Sequence, residues 1–105
     1  MTEPLRGEIW WGEVPDLGPR PYLVLTRDEA IPVLHRILVA PVTRTIRGIP
    51  TELALGPTQG LPVHCVASHD NVITLPKSAL VRRLGELAPG QRDEACLALR
   101  AAVDC

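Results

Sequence analysis

Arg20 and Thr43 are the side chains in this sequence best suited to work on a phosphate. Arg20 lies at the edge of the apolar run GPRPYLVLT, and Thr43 at the exit of ILVAPVT. An arginine carries a fixed charge and presents a planar fork of donors that fits phosphate oxygens. A hydroxyl can donate one hydrogen bond to a non-bridging phosphate oxygen. Taken singly, each has an ordinary explanation. A charged residue beside a turn usually faces solvent, and a threonine often ends a strand or caps a turn. Arg44, Thr45 and Arg47 follow Thr43 directly, either as contacts along an anionic backbone or as a solvated loop. A second cluster, Ser68-His69-Asp70-Asn71, supplies an acid, an amide and an imidazole. Asp70 can orient a base or help a proton move. Asn71 can hydrogen-bond a base edge of a single strand. His69 titrates near neutrality, although a lone histidine beside an aspartate is more often structural.

The elements that must position these groups are short and punctuated. Eleven prolines are spread along the chain and bound its apolar runs. Residues 7–14 read as a first strand, with Pro15–Pro19 as the loop behind it. Residues 21–26, 35–42, 51–55 and 64–68 read as further strands, and 83–87 as a short last one. Residues 76–81 fit one helical turn with proline at its first position. From Pro89 to Val103 the pattern changes: Ala95, Cys96, Leu99, Ala102 and Val103 recur at helical spacing, and Leu97 falls off that face. Trp10 and Trp11 are adjacent in a strand and therefore point to opposite sides. One fills the core; the other lies near a groove or an interface. Five or six short strands and one amphipathic helix imply a mainly β protein with a C-terminal helix, a small, strongly bent antiparallel barrel.

Composition bounds the rest. A chain of 105 residues is read as one domain, 1–105. Its size makes burial on folding modest and favours a homodimer that shares a core. The chain is 46% hydrophobic but only 3% aromatic, with no Phe, so Val, Leu, Ile and Ala must build the core. A formal net charge of −1 lends no support to nucleic-acid binding. Ten of the eleven basic residues are Arg, a bias that a G+C-rich genome also produces. Cys65, Cys96 and Cys105 form no C-x-x-C and have no histidine at zinc-ligand spacing. Cys65 reads as a core residue, and Cys105 as incidental. No signal peptide and no apolar run of about 20 residues is present, so a reduced, cytoplasmic protein with no membrane role, metal or cofactor is expected.

The order of these pieces resembles the MazF/PemK family, the mRNA-cleaving toxins of bacterial toxin–antitoxin pairs. Gly18-Pro19-Arg20-Pro21 is similar to the family's catalytic arginine before the second strand, and Ala40-Pro41-Val42-Thr43 to its Ser/Thr after a strand end. The resemblance covers the chain from Gly7 to the final helix and implies an SH3-like small barrel of the MazF/CcdB type. It implies a metal-independent, sequence-specific endoribonuclease cleaving single-stranded RNA. The ribose 2′-hydroxyl attacks the neighbouring phosphorus and leaves a 2′,3′-cyclic phosphate. Arg20, Thr43 and Asp70 would be catalytic; Trp11, Asp16, Arg44, Arg47, Ser68, His69 and Asn71 would meet RNA. A cognate antitoxin with a disordered, acidic tail would neutralise it. The match departs in three places: the first loop is short, leaving its contacts to Glu13, Asp16 and Leu17; Asn71 replaces a Gln; and Ile73 stands where the family carries Arg. Two rival readings use the same barrel, a non-catalytic binding module and a gyrase-inhibiting toxin of the CcdB type.

Overall fold

The computed structural model describes residues 3–104. Seven strands, Glu8–Val14 (β1), Gly18–Val24 (β2), Arg36–Thr43 (β3), Glu52–Leu55 (β4), Cys65–Ser68 (β5), Ile73–Pro76 (β6) and Leu80–Glu86 (β7), precede one helix, Gln91–Val103 (α1). The strands pair antiparallel in the order β4-β5-β3-β2-β1-β7. β3 is the spine. Its first half pairs with β6 and its last residues with β5, while β2 runs along its other edge. The chain therefore passes from β5 to β6 beside one edge of a single strand. It does so through a short 3-10 turn, His69–Asn71, that carries part of the second cluster.

Both faces of this bent half-barrel are covered, which explains why its strands read as nearly continuous apolar runs. Ile9, Leu23, Ala40 and Val42 pack to one side with Leu53, Leu55, Leu61, Cys65, Ala67 and Ala95. Their neighbours Trp10, Tyr22, Val24, Ile37 and Val39 pack to the other with Ile31, Leu75 and Leu80. Alternation along each strand divides the two cores. Fully burying a side chain such as Leu23 contributes about 1.5–3 kcal/mol. With one tyrosine and two tryptophans available, many such contributions must come from aliphatic groups.

The sequence reading is corrected in four places. β2 begins at Gly18 rather than Pro21, so Arg20 stands inside a strand, opposite Gly12 of β1. The stretch read as a helical turn over 76–81 holds the end of β6, a 3-10 turn at Lys77–Ala79 and the start of β7. β6 itself was not anticipated. It is four residues long and ends at Pro76, inside the stretch whose proline suggests a helical turn. On α1 the buried residues are Ala95 and Ala98, with Leu99 and Ala102 partly covered, and Cys96 and Val103 are exposed. Leu97 is exposed, as its position off the apolar face implied. Cys65 is a buried core thiol, whereas Cys105 lies outside the described residues.

One close crossing fixes the wall of the future site. Gly60, at φ +90°, ends a 3-10 turn at Pro57–Gln59 and lies against the backbone of β7. A Cβ at Gly60 would collide with the Leu84 carbonyl, and one at Gly85 with the Gln59 carbonyl. Two glycines let these backbones touch where any side chain would hold them apart.

Candidate RNA-binding groove

Where β1, β2, β3 and β7 meet the loop after β4, the surface opens into a groove of about 540 Å³. Arg20 and Pro21 of β2 and Thr43 of β3 line it with Arg44, Trp11 of β1 and Arg82 of β7. The apolar floor includes Val42, Leu61, Cys65 and Leu84. Three guanidinium groups face this space, and none of the lining residues is an acid. Arg20, Arg44 and Arg82 make no side-chain hydrogen bond or ion pair among the described residues. A near-neutral chain has thus concentrated unpaired positive charge in one concavity. Low-dielectric walls focus such a field on an anion.

The charges are felt by the groups beneath them. Burial pushes the Cys65 thiol up from its ordinary pKa, and the charge of Arg44 opposes that rise. Burial likewise raises the Tyr22 phenol, against the pull of Arg20. The Tyr22 ring crosses Gly12, where an added Cβ would lie 2.6 Å from its Cδ2. Gly12 thereby lets the ring pack against β1 at the residue paired with Arg20.

Thr43 is half-buried, and its hydroxyl oxygen accepts the Thr45 N–H at 3.2 Å. That bond uses acceptor capacity and leaves the hydroxyl proton for a ligand. Arg20 also lines a second depression, of about 470 Å³, with Tyr22, Pro41, Asp70, Asn71 and Ile73. Arg20 thus stands between the groove that holds Thr43 and the depression that holds the acid and the amide. The Asp70 carboxylate is steadied by the Thr51 hydroxyl, which donates to Oδ2 at 2.6 Å. Asn71 donates its Nδ2 to Ser68 Oγ at 2.9 Å, leaving its amide oxygen outside that bond.

Other sequence candidates fall elsewhere. His69 is 1% exposed, and its Nδ1 lies 3.2 Å from the carbonyl oxygens of both Thr51 and Ala67. Burial lowers its pKa, opposed by those two carbonyls and by Asp70. His69 is therefore a pin under the β5–β6 turn and not a contact on the surface. Ser68 is buried as well and supports Asn71. Asp16 sits in the exposed turn between β1 and β2, away from the groove lining, while its neighbour Leu17 lines the second depression. Arg47 is exposed outside the groove, in a loop held by Glu52, which accepts its backbone N–H at 2.9 Å. Of the tryptophans, Trp10 is buried and donates to Glu8 at 3.1 Å, and Trp11 lines the groove. Arg82 is the groove residue that sequence reasoning missed. The signal was present in Val81-Arg82-Arg83-Leu84, where adjacent arginines in a strand must part company.

A half-barrel with one C-terminal helix is an architecture shared with solved toxin structures. The chain is similar to the toxin MazF-mt6 of Mycobacterium tuberculosis, with a TM-score of 0.86 and 36% identity over 92% of this chain and 96% of that one. It is also similar to a mycobacterial endoribonuclease solved with its cognate antitoxin, with a TM-score of 0.85 and 31% identity over 96% and 95% of the two chains. In sequence it is 47% identical over 103 residues to the probable endoribonuclease MazF5 of M. tuberculosis, spanning 97% of this chain and 94% of that one. The family model for PemK-like, MazF-like toxins of type II toxin–antitoxin systems matches residues 5–103. The chain belongs to that toxin family.

Proposed function

We propose that this chain, as the endoribonuclease toxin its family makes it, cleaves single-stranded mRNA without a metal ion by in-line attack of the ribose 2′-hydroxyl. The observation that supports the reading is that unpaired Arg20 and Thr43 line one groove with no acid among its lining residues. The 2′-oxygen gives up its proton and bonds to phosphorus, the bond from phosphorus to the 5′-oxygen breaks as that oxygen takes up a proton, and a 2′,3′-cyclic phosphate and a 5′-hydroxyl remain. Arg20 meets the charge that develops on the phosphorane, where a fixed cation stabilises the transition state more than the ground state. Thr43 donates to a non-bridging oxygen. Asp70, held by Thr51 across from Arg20, is the carboxylate suited to assist the hydroxyl's proton transfer. Asn71 positions a base. The toxin domain works as a cytoplasmic homodimer and is silenced by a cognate antitoxin whose acidic tail competes for the arginines.

The test is incubation of the protein, with EDTA present, with a long mixed-sequence RNA and with the matching DNA, beside Arg20→Ala. Discrete cuts with cyclic-phosphate ends, absent on DNA and absent in the variant, are the expected result. Intact RNA at high concentration of a folded protein would overturn the reading and favour a binding module.

A further inference from the structure

We propose that Trp11 and Arg82 form a nucleotide subsite flanking the scissile phosphate, in which Trp11 stacks on the base and Arg82 holds that nucleotide's phosphate. The subsite rests on the endoribonuclease reading of the groove. Trp11 and Arg82 are direct cross-strand partners in the β1–β7 ladder, and both line the groove. The ladder slips on each side of this stretch, between Ile9 and Trp10 and again between Trp11 and Gly12. Such irregularities re-aim side chains and gather next to active sites. Here they isolate a short window in which Trp10 enters the core and Trp11 is left half-buried in the groove wall.

The charge pattern singles out Arg82. Nearby cations are spoken for: Arg83 bonds Glu8 at 2.7 Å and reaches Glu86 at 3.5 Å, and Lys77 bonds Glu3 at 2.6 Å. Arg82 has no such partner among the described residues, although Glu8 and Glu86 lie on its own strand pair. It stands at the lip between the groove and a neighbouring depression lined by Trp10, Lys77 and Val81. Arg20 on β2 and Arg82 on β7 lie on either side of β1. Two strand spacings separate them by roughly 10 Å of backbone. With Arg20 at the scissile phosphate, Arg82 meets the next one. A guanidinium on phosphate and an indole on the adjoining base are the two elements with which proteins hold single strands.

The test uses the full chain and, as probe, a 2′-O-methyl RNA strand containing the mapped cut site, which binds but lacks the nucleophile. Its affinity is measured against salt, and steady-state cleavage of the unmodified RNA is followed in parallel. Arg82→Ala is expected to reduce the salt slope of log K by about 0.7, the value for one phosphate on a single strand. KM should rise about tenfold with kcat within about twofold. Arg82→Lys should restore the slope. Trp11→Leu should raise KM without changing the slope, and Trp11→Phe should recover most of the loss. Arg27→Ala, an exposed arginine outside the groove lining, serves as the charge control and should leave the slope alone. An unchanged slope and KM in Arg82→Ala would overturn the subsite, as would a fall in kcat at constant KM. Wild-type protein that binds a mixed-sequence 2′-O-methyl RNA but leaves unmodified RNA intact sinks the endoribonuclease reading instead, and the salt slope on that mixed-sequence strand then judges the subsite by itself.

Discussion

Arg82 and Arg83 are neighbours in one strand and belong to different economies of charge. Arg83 turns to Glu8 and Glu86 and helps tie β7 to β1. Arg82 turns to a groove with no acid in its lining and shares it with Arg20 and Arg44. Nothing inside that groove offsets the mutual repulsion of the three cations, so the arrangement is unfavourable until an anion arrives. The contrast separates charges that tie strands together from charges left without partners beside an open concavity. Paired charges along the β1–β7 edge hold strands, and the groove gathers unpaired ones.

The largest expected effect comes from emptying the groove. Arg20→Ala should lower the cleavage rate by about 10²–10³, the range for losing one preorganised transition-state donor. Its thermal melt should stay close to wild type, because the side chain has no partner to lose. A large drop in melting temperature would erase the division between the two regions. Thr43→Val is expected to cost about 10-fold or more, as for one hydrogen bond to a charged group. Cleavage assays at saturating RNA read both.

Stability variants sharpen the comparison from the other side. Gly85→Ala drives a methyl group into the Gln59 carbonyl. It should cost about 1–3 kcal/mol in denaturant titration and loosen the groove wall with it. His69 gives a pH signature. Burial depresses its folded pKa, so the unfolded chain binds the proton more readily. The stability is fully present above the unfolded value of about 6.5 and is lost as pH falls from there through the lower folded value. His69→Gln should flatten that part of the stability profile.

The smallest effect belongs to the paired edge. Burial alone would raise the Glu8 pKa, but hydrogen bonds from Arg83, Trp10 and the Leu5 N–H outweigh it and lower the value. A lowered carboxylate pKa adds stability above the unfolded value of about 4.3 that disappears as pH drops through the folded one. Glu8→Gln should cost no more than about 1 kcal/mol, since Arg83 is partly exposed and solvent screens the pair. Cleavage by Glu8→Gln should match wild type. A strong loss of activity there would show that the edge and the groove are coupled.

The amino-acid sequence alone determined the mainly β class and the C-terminal helix, and its resemblance to the toxin family singled out Arg20 and Thr43, which the fold brings to one groove. Short apolar runs cut by proline and glycine leave few alternatives to strands, and Arg20 and Thr43 sit in local patterns that need no distant partner to be read. Tertiary structure decided the remainder. His69 and Ser68 look like surface chemistry in a line of letters. They are buried because β5 and β6 share one edge of β3 and the turn between them is drawn inward. Asp70 and Asn71 approach Arg20 only through that same turn. Arg82 lies 62 residues beyond Arg20 in the chain and reaches the groove only because β1 pairs with β2 and β7 at once. The −1 net charge hid the groove for the same reason: a sum over the chain does not record where charges are gathered, and folding gathers them.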